Sequence, residues 1–449
     1  MDGTLSSSQY VLDTSKDYSI YVCSTRAIPS VIDGLKHGQR MVLWVLRDKA
    51  EKIKTIALGG LVSYQRLYVH GDTSLNNAIG LLAAPYRNNV PLIDGLGEFG
   101  SRVSPDAIGA PRYTECRRSK AAQALLYLDL AIVPLEDNYD GSNQQPKHFL
   151  PLIPLVLLNG ISGIAVGWST HILPRGLRDL ITATKQALLE QPIRPVVPRY
   201  ERYDIIVRAI GPNQWEFAGR AKIVDANTVQ VTELPPGLPI ETFRRRLIEM
   251  EEAEQIVGFT DRSTETINIS IKLRRESIAG WTEQTAIETF KLKERVTERL
   301  VVISWDGDAI RTYPDAETLI RDFAHWRLGW YAVRSEHNRH RDLYELTYWL
   351  ALRALFHSRF PRQLGTFAHR DALHAEVLTV TQKAGLALDA AHLDRIAHLP
   401  TYRWTKDFIA EIDRMIDALQ TAIAEADAIL ASPERQRAEY LKELEGLKL

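Results

Sequence analysis

The amino-acid sequence predicts a multidomain protein of the α+β class. At 449 residues the chain exceeds a typical single domain of ~100–200 residues, so about two to four domains are expected. Alternating apolar and polar side chains in the middle of the chain indicate strands, whereas the last third has helical periodicity. We therefore predict a mixed domain over residues 1–170, an α/β domain over 171–314 and a long helical domain over 315–449.

Composition describes an ordinary globular protein that carries one basic segment. Its apolar fraction is 45% and its charged fraction 25%, which are typical globular values. The formal net charge is −1, but residues 26–120 hold 14 lysines and arginines against 8 acidic residues, which suggests one surface that faces nucleic acid. The two cysteines, Cys23 and Cys116, are too few for a disulfide framework and suit the reducing cytoplasm. We expect no signal peptide, since no charged region precedes an apolar one at the start.

Short helices and glycine-rich loops characterise the first predicted domain. The segment 27–49 suits helices broken at Gly34 and Gly38, and a later apolar segment suits a helix that ends before Pro85. Residues 89–104 hold glycines at a density typical of a loop that closely approaches another part of the molecule. Several short helices with a basic bias are compatible with a winged-helix domain.

Buried strands and turns are predicted in the middle of the chain. The apolar segment 149–168 contains prolines and glycines, so it is a poor membrane helix and a better strand-turn segment. Pro235 marks a turn before a helical pattern. "SWDGDAI", residues 304–310, holds two acids that could form a metal pair, but the flanking strand residues favour a hairpin turn. Alternation typical of half-buried strands recurs in three segments, which are 203–210, 214–234 and 266–273.

Two long helices are predicted in the last domain. The first covers about 316–356, and the second carries an apolar heptad pattern. The residues between them, about 45, predict an antiparallel coiled coil with a small globular tip at about 359–404; a plain helical bundle is the alternative. The heptad residues are Phe408, Ile412, Ile416, Leu419, Ile423, Ala426 and Leu430.

One short stretch, "GAPRYTECRRSK" at residues 109–120, carries the most specific chemistry. Arg112 directly precedes Tyr113. Nearby cations favour a phenolate, which is a nucleophile able to form a covalent intermediate, and cations also attract DNA phosphates. By itself the stretch fits either a tyrosine poised to attack a phosphodiester or a surface turn with solvated charges. The other cationic residues of the stretch are Arg117, Arg118 and Lys120.

Several separate motifs along the chain occur in the order and spacing of one known family. They are "RAIPSVIDGLKHGQRMVL", "YVHGDTSLNNAIGLLA", "PLIDGLGEFGSR", "APRYTE" and "LVLLNGISGIAVGWST". Together they resemble the breakage-reunion part of type IIA DNA topoisomerases, and "VTELPPG" is similar to the start of that family's tower region. The resemblance covers nearly the whole chain from about residue 20. The length and the division into subunits are most similar to the medium subunit of the T-even bacteriophage topoisomerase.

The resemblance implies the architecture and the reaction of a DNA-cleaving enzyme. Residues 1–170 would form a winged-helix breakage-reunion domain, 171–314 a tower, and 315–449 a coiled coil with a dimerising C-gate tip. Tyr113 would attack a DNA phosphate and become linked to the 5′ end of each strand at a staggered break, through which a second duplex passes. Arg112 would stabilise charge on the phosphate oxygens in the transition state.

The resemblance also implies a set of residues that contact DNA or drugs. Ile164 matches an isoleucine that wedges between bases and bends the duplex. The wording "YVHG" departs from a family pattern with two histidines, which puts in doubt only a supporting role beside His70. Thr73 and Asn77 match a region that contacts quinolones in bacterial relatives, and they share a face if a helix starts there. The implied DNA contacts are Arg26, Lys36, Arg40, His70, Arg117, Arg118 and Ile164.

Two parts of the family's machinery are missing from this sequence. The metal-binding TOPRIM motif and an ATPase signature are not found, so the resemblance implies a partner subunit that binds Mg²⁺ and ATP. We expect no metal ligands in this chain, a homodimer assembled with the partner as a heterotetramer or similar complex, double-stranded DNA as substrate, and no membrane. Without a DNA-wrapping domain we expect relaxation and decatenation, in the host cytoplasm if the chain is phage-encoded.

Two other interpretations stay open. One is a bacterial gyrase or topoisomerase IV A-type chain that lacks its tail. The other is a non-catalytic DNA-binding homologue, against which the intact Arg112–Tyr113 pair argues.

Overall fold

The structure is a computed structural model that describes residues 14–15, 18–400 and 403–447. The chain divides into two compact units. The first runs to Arg327 and includes the C-terminal residues from Leu444, and the second is Leu328–Glu443. Every helix in the described part of the chain is too short or too polar to cross a membrane.

Short helices and a three-stranded antiparallel sheet open the first unit. A π-helical turn at Cys23–Ala27 precedes them. Gly34 lies in the turn before the first helix with a φ of 67°, which agrees with the helix break predicted at this residue. The predicted break at Gly38 is wrong, because α1 runs through it. The elements are α1 (His37–Leu46), β1 (Ile53–Lys54), α2 (Thr55–Tyr64), α3 (Asp72–Ala83), β2 (Ile93–Leu96) and β3 (Glu115–Arg118), with β3 between the other strands.

The apolar segment 149–168 forms a short buried helix and the first part of a hairpin. Leu155–Leu158 are buried, and the hairpin strands pair with Ala165 opposite Trp168. The strand-turn prediction for this segment therefore missed the helix. The elements of this region are α4 (Lys120–Leu125), a 3-10 turn (Leu130–Ile132), β4 (Leu135–Asp137), β5 (Gln144–Pro146), α5 (Leu155–Asn159), β6 (Ile161–Ala165), β7 (Trp168–Ile172) and α6 (Leu177–Leu188).

The alternating segments in the middle of the chain form the predicted strands. The strands and helices are β8 (Ile206–Gly211), β9 (Gln214–Ala218), β10 (Arg220–Asp225), β11 (Thr228–Glu233), α7 (Ile240–Glu252), β12 (Gly258–Asp261), β13 (Ile269–Lys272), α8 (Arg275–Ile278), α9 (Glu283–Thr289), β14 (Lys293–Thr297), β15 (Val301–Ile303) and β16 (Ile310–Thr312). One antiparallel sheet has the order β10-β11-β13-β12 and another has the order β14-β9-β8. Phe243 of α7 and Phe290 are buried in the core against the four-stranded sheet. β15 and β16 flank the turn of residues 304–309, which confirms the hairpin.

Antiparallel helices build the second unit. The helices are α10 (Ala316–His357), which starts in the first unit, α11 (Phe360–Gln363), α12 (Arg370–Lys383), α13 (Ala390–Ala397), α14 (Lys406–Leu430) and α15 (Pro433–Gly446), which ends in the first unit. Ion pairs join Arg353 to Asp413 at 4.0 Å and Arg339 to Asp427 at 2.5 Å, so the numbering falls along α10 as it rises along α14. The two predicted long helices are confirmed, whereas α15 was not predicted.

The tip between the long helices has its own apolar core. Ile412 of the heptad pattern and Leu355 of α10 are fully buried there. Ile396 is also buried, and Leu393 packs partly buried against the same cluster. The leucines of the tip thus pack against its interior.

Candidate active site

Tyr113 lies on a short turn before β3 and projects into solvent. Tyr113 N donates to Ala110 O at 2.8 Å, which closes the turn. Thr55 N donates to Thr114 O at 3.1 Å, and the buried Thr114 hydroxyl donates to Thr55 Oγ1 at 2.8 Å. The backbone is therefore fixed against α2, while the Tyr113 side chain remains 74% exposed.

The glycine-rich segment packs beneath the Tyr113 turn. A Cβ on Gly109 would lie 3.2 Å from Thr114 Cγ2, and a Cβ on Gly97, which has a φ of 110°, would lie 3.5 Å from it. Gly109 N also donates to Glu98 O at 2.9 Å. The close approach predicted for residues 89–104 is thus to the tyrosine turn itself.

The cations around Tyr113 have unequal freedom. The exposed Arg112 places its guanidinium carbon 5.2 Å from the centre of the Tyr113 ring. By contrast, Arg117 Nε donates to Asp94 Oδ2 at 2.7 Å, and Arg118 Nη1 donates to Arg47 O at 2.5 Å. Arg112 is thus the cation that directly accompanies the tyrosine, while Arg117 and Arg118 are held along β3.

Arg26 and His70 are both predicted DNA contacts. They lie 44 residues apart in the sequence and form a direct pair in the structure. Arg26 Nη2 lies 3.0 Å from His70 Nδ1, and His70 Nε2 lies 3.2 Å from the Tyr21 hydroxyl. Burial, and then the positive charge of Arg26, lower the pKa of His70. The ring of Tyr68 contacts His70 edge-on at 5.1 Å, and either Tyr68 or Val69 stands at the position of the second histidine that the resemblance implies.

Lys36 connects the region of the Arg26–His70 pair to the β6–β7 hairpin. Its Nζ donates to Ser162 O at 2.8 Å, and burial lowers the pKa of the ammonium. A Cβ on Gly163 would lie 1.9 Å from Ala27 O, so the hairpin backbone packs directly on the π-helical turn that carries Arg26. The hairpin presents Ile164 with 87% of its surface exposed, and its role as a wedge stays a prediction.

The prediction that Arg40 contacts DNA must be corrected. Arg40 is 9% exposed, and it donates to Asp33 through Nε at 2.6 Å and through Nη2 at 2.9 Å. Burial opposes its charge, but the Asp33 carboxylate outweighs burial and raises the pKa of Arg40. Asp33 also accepts from Phe149 N at 3.1 Å. This arginine ties the Gly34 turn to α1 and is not presented to a duplex.

Thr73 and Asn77 share an exposed face of α3. The helix starts at Asp72, so residues four positions apart are neighbours on its surface, as the sequence predicted. Both side chains are exposed. Their contact with quinolones stays a prediction.

Sequence reasoning missed two residues of this region, the exposed Tyr21 and the buried Asp33. Tyr21 belongs to no motif, and its position next to His70 depends on the fold. Asp33 lies in one of the family motifs, but its spacing of seven from Arg40 spans a turn and therefore gives no helical signal. Burial raises the pKa of the Cys116 thiol to about 11, which disfavours its thiolate.

The Tyr113 turn does not fit a divalent-cation site. Its acidic neighbour Glu115 pairs with Lys54 Nζ at 2.9 Å, and hydrogen bonding from Lys54 lowers the pKa of that carboxylate. Across the residues the structure describes, no group of three or more His, Cys, Asp or Glu side chains is arranged to hold a metal ion.

The comparison with known families decides the identity. The pattern of the family that comprises the A subunit of DNA gyrase/topoisomerase IV matches residues 26–445. The chain belongs to this family. The match confirms the type IIA topoisomerase breakage-reunion region that the motifs predicted.

Individual relatives of this topoisomerase chain agree with that assignment. DNA topoisomerase 2-alpha of Gallus gallus is 30% identical over 329 residues, which are 69% of this chain and 21% of that protein. The Homo sapiens DNA topoisomerase 2-alpha is 29% identical over 324 residues, with the same coverage of 69% and 21%. The chain thus spans about a fifth of the length of the curated relatives it matches.

A solved structure shows that the fold is shared. The DNA-binding, cleavage and re-ligation domain of Plasmodium falciparum topoisomerase II superposes with a TM-score of 0.85 at 21% identity. The match covers 98% of this chain and 63% of that one. The mixed α/β fold of a topoisomerase II cleavage domain therefore extends over nearly the whole chain.

Proposed function

We propose that this chain is the DNA-cleaving subunit of an ATP-dependent type II topoisomerase, in which Tyr113 is the nucleophile. The observation that carries the proposal is the Tyr113 turn. Its backbone is fixed by Thr55 and Thr114, its phenol is exposed, and Arg112 accompanies the ring. A duplex can reach this hydroxyl without any rearrangement of the core.

The chemistry is a reversible exchange of esters. The exposed Tyr113 hydroxyl gives its proton to water and its oxygen bonds to the phosphorus, while the 3′ oxygen of the adjacent nucleotide leaves and takes up a proton from water. The product is a 5′-phosphotyrosine, which stores the bond so that the 3′ hydroxyl can attack it and reseal the strand. Arg112 stabilises the charge that builds on the nonbridging oxygens in both directions.

The DNA surface that we propose combines fixed cations with an apolar wedge. Arg26 and Lys36 supply phosphate contacts, His70 holds Arg26 in position through its Nδ1, and Arg117 and Arg118 lie beside the cleavage turn. Ile164 enters a base step, which costs a few kcal/mol of unstacking that the bent complex recovers through added contacts. Arg40 is left out of the surface because Asp33 holds it in the interior.

The architecture and partners that we propose follow the family resemblance. The three predicted domains are a winged helix over 1–170, a tower over 171–314 and a coiled coil over 315–449 with its C-gate tip at about 359–404. A homodimer supplies one tyrosine for each DNA strand. A separate ATPase/TOPRIM subunit supplies Mg²⁺ and ATP hydrolysis, as the resemblance to the T-even bacteriophage enzyme implies, and the complex works in the cytoplasm, which is the host's if the chain is phage-encoded.

Covalent trapping tests the proposal. The purified chain, its ATPase/TOPRIM partner, Mg²⁺ and supercoiled plasmid are mixed, and the reaction is stopped with sodium dodecyl sulfate. We expect protein linked to 5′ ends with the wild-type chain and none with Tyr113→Phe, although that variant still binds DNA.

Tyr139→Phe is the matched control, because Tyr139 is a second exposed tyrosine of the same unit, with 61% of its surface accessible. It should form adducts at the wild-type rate. Adducts in Tyr113→Phe would refute Tyr113 as nucleophile. Absence of adducts from every variant with an active partner would support the non-catalytic homologue.

A further inference from the structure

Tyr21, His70 and Arg26 form a hydrogen-bonded chain of three side chains on the proposed DNA surface. The Tyr21 hydroxyl lies 3.2 Å from His70 Nε2, and the Arg26 guanidinium lies 3.0 Å from the opposite ring nitrogen. The guanidinium carbon is also 5.6 Å from the centre of the Tyr21 ring. Tyr21 and Arg26 are both exposed, so a ligand can reach the two ends of this chain.

The chemistry of the three groups fixes where the protons lie. A guanidinium has only donors, so His70 Nδ1 must accept from Arg26. The neutral imidazole then carries its hydrogen on Nε2 and donates it to the Tyr21 oxygen. The lowered pKa of His70, caused by burial and then by Arg26, agrees with a neutral ring. The phenol therefore accepts from inside the protein and keeps its own hydrogen for an outside acceptor.

We propose that Tyr21 is a further DNA-binding residue, which donates its phenolic hydrogen to a nonbridging phosphate oxygen of the duplex. The inference rests on the proposed function, because it takes DNA as the ligand. Tyrosine hydroxyls are common donors to DNA phosphates. The charge of Arg26 at the head of the chain polarises the linked hydrogen bonds, which makes the terminal hydroxyl a stronger donor.

The experiment measures equilibrium binding of the purified chain to a short DNA duplex over a series of salt concentrations. Tyr21→Phe removes one hydrogen bond to a charged group and should weaken binding by about ten-fold at every salt concentration. The slope of log affinity against log salt should not change, because a neutral phenol releases no counterion. Arg26→Gln should instead reduce that slope by about one.

Tyr18→Phe is the matched control. Tyr18 precedes Tyr21 by three residues, its ring centre is 6.4 Å from that of Tyr21, and it is 57% exposed. The control should bind DNA as the wild type does. In a His70→Ala background the effect of Tyr21→Phe should shrink to less than about two-fold, because the phenol is no longer oriented.

Three results would overturn the inference. They are wild-type affinity in Tyr21→Phe, an equal loss in Tyr18→Phe, and a full ten-fold effect of Tyr21→Phe in the His70→Ala background. A wild-type chain that binds no duplex would overturn the proposed function itself, which distinguishes that failure from an error about Tyr21 alone.

Discussion

The Tyr113 turn and the Arg26–His70 pair are held in opposite ways. Tyr113 is fixed through its backbone and through the buried Thr114 hydroxyl, whereas its own side chain is 74% exposed. Arg26 and His70 are fixed through their side chains, which hydrogen-bond each other at 3.0 Å. In the proposed reaction, Tyr113 can therefore rotate toward a phosphate, while the charge proposed to receive that phosphate is already in place.

The difference follows from what each group must do in the proposed reaction. A nucleophile forms and breaks a bond in every cycle, so its oxygen must move relative to the protein. Groups that stabilise charge contribute most when they need no reorganisation, and side-chain hydrogen bonds provide that fixity. Substitutions that loosen the Arg26–His70 pair and substitutions that remove Arg112 from beside the exposed Tyr113 should therefore have separable effects.

The largest effect is expected at the buried Asp33–Arg40 ion pair, which ties the Gly34 turn to α1. Asp33→Asn leaves the buried Arg40 without its carboxylate, and breaking a buried ion pair costs about 3–5 kcal/mol of unfolding free energy. Chemical denaturation should show that loss. Asp94→Asn is the control, because the Asp94–Arg117 pair is about 43% exposed on both sides and exposed pairs contribute about 0–1 kcal/mol. Equal losses in both variants would contradict the structural role of Arg40.

Substitution of Arg112 tests the Tyr113 side of the comparison. Arg112→Ala should lower the rate of adduct formation by about 100-fold to 1000-fold, which is the usual effect of removing one donor to a transition-state oxyanion. Folding and duplex binding should change little, since the arginine is exposed. Arg66→Ala removes the same charge from an exposed site that pairs with Asp140 and should cleave normally. A loss of less than a few-fold in Arg112→Ala would remove Arg112 from the mechanism.

The pH dependence of stability tests how firmly the first turn of α1 is buried. Burial, helped by Arg40 and His70 and opposed by Asp33, lowers the pKa of His37 from 6.5 to about 4. Between these values the unfolded chain binds a proton that the folded chain excludes, so stability is complete above pH 6.5 and falls as the pH drops toward 4. The loss amounts to about 3 kcal/mol.

Denaturation at several pH values checks this prediction. His37→Gln should remove that part of the pH dependence and leave the contributions of the carboxylates. An unchanged slope between pH 4 and 6.5 in the variant would show that His37 is protonated in the folded protein.

The sequence predicted the elements whose side chains repeat with a regular period. β11 alternates buried and half-buried residues, and the heptad of α14 buries Phe408 and Ile412 in the tip core, so both were visible as patterns. α15 has only scattered apolar residues and gave no such signal.

A sequence motif gives the position of a site residue along the chain, but it does not give the position of that residue in the folded structure. Arg26 and Arg40 lie in one family motif and both are basic, yet Arg26 is exposed and Arg40 is buried on Asp33. Tyr21 reaches His70 only through folding, so no spacing along the chain reveals it.

The smallest effect is expected at the wedge, where an apolar contact is at stake instead of a charge. Ile164 and Val166 are both exposed near the end of the β6–β7 hairpin, at 87% and 64%, but only Ile164 is proposed to enter a base step. Burying an isoleucine side chain is worth about 1.5–3 kcal/mol, so Ile164→Ala should lower the ratio of bent to straight duplex by about ten-fold or more. Energy transfer between dyes on the two ends of a bound duplex measures that ratio. Val166→Ala should leave the bend intact while removing a similar apolar surface from the same hairpin. If both variants lose the bend equally, the hairpin acts as a general apolar contact, and the specific role of Ile164 falls.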